Sequence, residues 1–127
     1  MDYQDLMKKA KKVSKNAYVK YSKFKVGACL LTENGNVYTG CNFENSSYGL
    51  TICAERNAVG SAIADGEQKI KAIAIYSPKM KDCSPCGACR QVLHEFQIEE
   101  GMDVITEGEY GLIIRKLDEL LPQGFNL

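Results

Sequence analysis

The spacing of apolar residues switches repeatedly between a helical and a strand period along this chain, and that order restricts its fold more than any other feature. Tyr3, Leu6, Met7, Ala10, Val13 and Ala17 recur three or four apart, which predicts an amphipathic helix with lysines on its other face. Phe24 to Leu31 has the length of a strand. Asn34-Gly35 then predicts a two-residue hairpin turn, because both residues tolerate positive φ, with Asn36 to Cys41 as the return strand. Asn42 to Gly49 is polar and irregular, a loop. A second helix is expected from about Thr51, a capping residue, to Ala64, with Asp65-Gly66 as its stop. Ile70 to Tyr76 reads as a third strand. Pro85, favoured in a first helical turn, opens an expected third helix that runs to about Gln97. Asp103 to Thr106 and Tyr110 to Arg115 are short strands around Gly108, and Leu117 to Leu121 forms a last helical turn before Pro122. This order predicts an α/β fold in which helices cover a mixed sheet of five strands, with at least one crossover between parallel strands.

The 127 residues show no repeat and no linker, so one domain, 1–127, is expected. A chain of this size buries roughly two thirds of its unfolded surface and needs no disulfide staples. No apolar run approaches the roughly 18 residues of a membrane span, and the N-terminus lacks the apolar stretch of a signal peptide; a cytoplasmic location without membrane contact is expected. In that compartment the six cysteines point to metal binding, catalysis or core filling before bridges. The net charge of zero conceals an asymmetry, since residues 1–25 carry eight lysines against Asp2 and Asp5. A nucleic-acid arm is one reading of that stretch. The solvated face of the first helix is the other, favoured because the stretch has no arginine and no aromatic residue interleaves with the lysines on that face of the helix.

Two segments concentrate the chemistry: Cys53-Ala54-Glu55-Arg56 and Ser84-Pro85-Cys86-Gly87-Ala88-Cys89. Cys86 and Cys89, three apart at a helix start, share a face and can chelate one ion, and Cys53 could supply a third thiolate from the start of another helix. Three protein ligands with an open fourth position is the pattern of a catalytic zinc, whereas a structural zinc is normally closed by four. Three thiolates around Zn²⁺ leave a net charge of −1, which two helix N-termini would offset. Arg56, on the Cys53 face, either donates hydrogen bonds to the thiolates or is a surface arginine. Glu55 need not point at the metal as a ligand would, and from beside it could serve as general base and then general acid. Cys83 forms a second three-residue spacing with Cys86; Cys86 and Cys89 are preferred because Pro85 leaves Cys83 outside the helix. Cys29 and Cys41 read as core thiols.

Cys53-Ala54-Glu55-Arg56 together with Pro85-Cys86-Gly87-Ala88-Cys89-Arg90-Gln91 resembles the small, homotetrameric, zinc-dependent cytidine deaminases. Tyr21-Ser22-Lys23-Phe24, Val26-Gly27-Ala28, Gly40 to Asn45, Leu120-Leu121-Pro122 and Phe125 fall in the same order, so the likeness spans nearly the whole chain. The resemblance implies a three-layer α/β/α fold, one Zn²⁺ per chain on Cys53, Cys86 and Cys89, and Glu55 as the proton carrier. The implied reaction is hydrolytic deamination of cytidine and deoxycytidine in pyrimidine salvage. It also implies that Asn42 and Glu44 meet the ribose 3′-hydroxyl, that backbone groups of Ala54 and Ser84 lie near the base, and that Phe24 flanks the nucleoside. Ser46, Tyr48 and Phe125 are implied to reach a neighbouring subunit's pocket in a homotetramer with shared sites. Ser46 and Phe43 depart from the alanine and smaller aliphatic usual there.

A carboxylate at Glu44 accepts from a sugar hydroxyl but repels a phosphate, which favours free nucleoside over nucleotide or polynucleotide. Asn42 and Glu44 have an alternative reading as turn residues that satisfy the backbone. Two other functions stay open from sequence: deamination of a different cytosine compound, a nucleoside antibiotic or RNA, and a zinc-stabilised binding module without catalysis.

Overall fold

The computed structural model describes residues 1–127. Helix α1 (Tyr3–Ser14) is capped by the Asp2 carboxylate, which accepts the Asp5 N–H at 2.9 Å. Strand β1 (Gly27–Thr32) pairs antiparallel with β2 (Val37–Cys41) and, on its other side, with β3 (Ile70–Tyr76). Helix α2 (Ala54–Ala64) joins β2 to β3, and α3 (Gly87–Phe96) is the crossover to β4 (Asp103–Gly108), which runs parallel to β3. Strand β5 (Gly111–Lys116) closes the far edge antiparallel to β4, and the single turn α4 (Leu117–Leu120) follows it. The sheet order is β2-β1-β3-β4-β5, the expected mixed sheet of five strands with one parallel crossover.

Alternation along the central strands separates two cores. Cys29, Leu31, Ala72, Ala74 and Ile105 face α1, where they meet Leu6, Met7 and Ala10. Ala28, Leu30, Ile73, Ile75 and Val104 face the opposite way, against Ala54, Ala58, Val59 and Ala62 of α2, Leu93 of α3 and Leu117 of α4. The result is three layers, helix, sheet and helix. Lys11 of α1 pairs with Glu107 at 2.7 Å, while Lys9 and Lys12 line a shallow groove with Val13, Asn16 and Thr39. Gly40 brings β2 against the first turn of α2: a Cβ there would stand 2.4 Å from the Ala58 nitrogen and 2.6 Å from the Ala54 carbonyl. That contact sets how closely the residues at the start of α2 sit on the sheet.

Several boundaries differ from expectation. The first strand begins at Gly27 because the Val26 N–H goes to the Asn42 side chain, at 2.9 Å, in place of a ladder partner. The hairpin is longer than two residues: Gly35 alone has positive φ, at 87°, and its N–H returns to the Thr32 carbonyl at 3.0 Å. Helix α2 is capped at Cys53 rather than Thr51, and α3 at Cys86, so Pro85 lies before the helix and not in its first turn.

Candidate metal centre and its pocket

Cys53 and Cys86 each occupy the residue just outside a helix, and neither side chain bonds to the first-turn N–H groups. Those orphan donors and both helix dipoles are therefore free to favour negative charge at the sulfurs. Cys89, one turn into α3, completes the group: the Sγ atoms of Cys53, Cys86 and Cys89 all lie within 4.8 Å of one another. Zn–S bonds of about 2.3 Å in a tetrahedron place sulfurs about 3.8 Å apart, so the three fit one zinc ion with little movement. Cys53 is half-buried, Cys86 exposed and Cys89 fully buried.

Charge around Cys53 is arranged for an ionised thiol. Hydrogen bonds from the Cys89 thiol and from Arg56 pull the Cys53 pKa down to about 5, and the same Cys53–Cys89 contact, with burial, pushes Cys89 up. Arg56 Nη2 donates to Cys53 Sγ at 3.6 Å and to the Thr51 carbonyl at 3.4 Å. Its Nε is buried without a partner. A half-buried cation with one buried, unsatisfied donor beside three thiols suits a centre whose net charge is −1. The remaining cysteines differ. Burial raises Cys29 and Cys83 to about 11 and raises Cys41 as well, so these stay protonated thiols. Cys83 sits in the core on the α2 and α3 side of the sheet, outside the three-sulfur group.

Glu55 is 5% exposed and is not part of the sulfur group. Burial, reinforced by the Cys53 thiolate, pushes its carboxyl up to about 7. It opens onto a pocket of about 300 Å³ whose wall contains Phe24, Asn42, Cys53, Ala54, Ser84 and Cys86. Val26, Thr51, Met80 and Cys83 complete the lining; none of these four was singled out for the pocket by sequence. Met80 lies in a loop without periodic signal, and Val26 reads from sequence as part of a strand and of the family likeness but not as a pocket residue. The arrangement can hold one thiophilic divalent ion with an open side, next to a buried carboxyl group whose surroundings favour its protonated form.

Of the other expected residues, Glu44, Ser46, Tyr48 and Phe125 lie outside this wall. Asn42 spends its amide on the backbone, accepting from Val26 N–H and donating to the Phe24 carbonyl, both at 2.9 Å, which holds Phe24 at the pocket. Glu44 lines an adjoining depression with Tyr21, Ser22, Tyr48 and Thr51. Its carboxylate accepts the N–H groups of Tyr21 and Ser22, at 3.0 and 3.1 Å, and the Ser22 hydroxyl, which lowers its pKa. The reading of Asn42 and Glu44 as backbone partners thus describes their contacts within this chain. Ser46 bonds the Tyr21 hydroxyl at 2.5 Å. Tyr48 is 73% exposed. Phe125, 66% exposed, is not at this chain's own pocket; Gln91 holds its main chain on both sides, at 2.9 and 3.2 Å.

Comparison with known proteins agrees with this geometry. Residues 1–103 match the family model described as the cytidine and deoxycytidylate deaminase zinc-binding region. The cytidine deaminase of Halalkalibacterium halodurans is 50% identical over 125 residues, covering 98% of this chain and 95% of that protein. That of Mycobacterium tuberculosis is 39% identical over 127 residues, 100% of this chain and 92% of that protein. The crystal structure of cytidine deaminase from Burkholderia pseudomallei superposes with a TM-score of 0.90 at 41% identity, covering 98% of this chain and all of that one. The chain belongs to the cytidine and deoxycytidylate deaminase family. That family binds zinc, and the three convergent thiols are where this chain has the donors for it.

Proposed function

We propose that this chain hydrolyses the exocyclic amino group of cytidine and 2′-deoxycytidine, giving uridine and 2′-deoxyuridine plus ammonia. The observation that carries this reading is the placement of the buried Glu55 carboxyl beside three convergent thiols in one pocket. Zinc, when bound by Cys53, Cys86 and Cys89, acidifies a water molecule and so supplies the nucleophile at neutral pH. Glu55 accepts one proton of the attacking water as its oxygen bonds to C4 and delivers it to ring N3. It then takes the remaining proton of the new C4 hydroxyl and passes it to the amino group, which leaves as ammonia as the C4–N bond breaks and the C4 carbonyl forms, general base followed by general acid. Arg56 offsets the charge of the thiolates. Phe24, Ala54 and Ser84 border the base, and Asn42 and Glu44 stand on the side where the sugar would lie.

The same reading makes the protein a cytoplasmic enzyme of pyrimidine salvage that works as a homotetramer, with Ser46, Tyr48 and Phe125 turned to neighbouring subunits. Their support is exposure: Tyr48 and Phe125 present aromatic surface that this chain leaves uncovered. Glu44, kept ionised by Ser22 and the Tyr21 and Ser22 backbone, disfavours a substrate phosphate at that place. Ultraviolet assays with cytidine, deoxycytidine and CMP test the substrate class. Turnover of both nucleosides with little of CMP is expected; CMP used as well as cytidine, or neither nucleoside used, would overturn it.

A further inference from the structure

Cys86 is the least supported member of the sulfur group. It is exposed, its side chain makes no capping bond, and it follows a loop rather than lying within a helix. Cys89, by contrast, is enclosed in α3, and Cys53 bonds Arg56. The loop that delivers Cys86 is nevertheless gripped from both ends. At its start Asp82, at φ 49°, accepts both terminal nitrogens of Arg115, at 2.8 and 2.9 Å, and the Thr106 hydroxyl at 2.6 Å. At its end one guanidinium holds it. Arg90 Nε donates to the Pro85 carbonyl at 2.7 Å, Nη2 to the Ser84 hydroxyl at 3.0 Å, and Nη1 to the Leu120 carbonyl at 2.8 Å. The Arg90 backbone N–H also reaches the Cys86 carbonyl at 2.9 Å.

We propose that Arg90 is a positioning residue for the metal centre: its guanidinium fixes the Ser84-Pro85 segment, and thereby the Cys86 thiol, and ties both to the C-terminal turn at Leu120. The inference rests on the reading that Cys53, Cys86 and Cys89 hold zinc. A guanidinium suits the task because its donors form a rigid planar fork, and here they serve three acceptors from two parts of the chain. Lysine carries the same charge on a single nitrogen and cannot reproduce that spread. The Leu120 carbonyl is one of the orphan acceptors at the end of α4, so losing Arg90 also leaves that carbonyl without its side-chain partner.

The test is the rate at which the purified, zinc-loaded protein gives up zinc to a chromophoric chelator, read beside its melting temperature. Arg90→Gln and Arg90→Lys are each expected to release zinc about 10- to 100-fold faster than wild type, the range typical when support behind a metal ligand is removed. With cobalt in place of zinc, their thiolate charge-transfer band should shift or weaken. Tyr3→Phe is the comparison, because it removes a hydrogen bond to Asp103 on the α1 side of the sheet; it is expected to lower the melting temperature yet release zinc at the wild-type rate. Arg90→Lys supplies the measurement if Arg90→Gln does not fold. Wild-type release from both Arg90 variants, or equal acceleration in Tyr3→Phe, would overturn the role of Arg90. A wild-type protein that holds no zinc would instead overturn the three-thiol reading beneath it.

Discussion

On the inner side of the pocket the chain supplies and holds its own groups: Cys89 and Ala54 are fully buried, Glu55 nearly so, and Arg56 and Arg90 brace the residues around them. On the outer side apolar residues stand in the open, with Tyr48 73% exposed and Tyr18, Tyr21, Phe43 and Leu50 also uncovered, and away from this pocket Phe125 is 66% exposed. The difference lies in what each task demands. Bond-breaking chemistry needs fixed donors and low water access, which two helix starts on a sheet provide within one chain. Enclosing a small polar nucleoside needs walls, and within this chain the depression beside the pocket is bordered by the exposed Tyr48.

The largest expected effect strikes the inner side. Cys86→Ser or Cys89→Ser should abolish zinc binding, measured as zinc per chain after dialysis, and activity with it; retention of a full equivalent would mean that the ligands are misassigned. An intermediate effect is expected from the outer side. Phe125→Ala should keep its zinc but raise KM for cytidine about tenfold, roughly 1.4 kcal/mol of lost contact. Sedimentation belongs with that assay, because a stable and fully active monomer would remove the shared pocket. The smallest effect should come from Cys83→Ser, which replaces a buried thiol near Glu55 that is outside the sulfur group. It should retain one zinc and near-normal turnover while losing on the order of 1 kcal/mol of stability to a buried hydroxyl. Loss of zinc in Cys83→Ser would exchange the places assigned to Cys83 and Cys89.

Much of the inner side was legible in the sequence because local periodicity encodes it. A three-residue spacing puts Cys86 and Cys89 on adjacent turns wherever the helix packs, and a carboxylate two residues beyond Cys53 follows the same helical geometry. The helix starts were harder to see. Thr51 and Pro85 are favoured near helix N-termini, and they drew the boundaries outward, whereas the structure caps both helices with cysteine and leaves the first-turn N–H groups free. Long-range direction was not encoded in any spacing. Nothing local shows that Arg90 turns toward Leu120, that Gln91 clasps the main chain of Phe125, or that Asn42 binds the backbone beside Phe24. These contacts join segments far apart in sequence, so only the packed sheet and helices define them.

The central claim is that a buried carboxyl beside three metal-binding thiols moves the proton. Glu55→Gln tests it most directly, since the amide keeps the shape of the side chain and removes its capacity to exchange a proton. Zinc content and kcat for cytidine should be measured on the same preparation. The expected result is one zinc per chain with kcat lowered at least about 100-fold; undiminished turnover by the zinc-loaded variant would contradict the account.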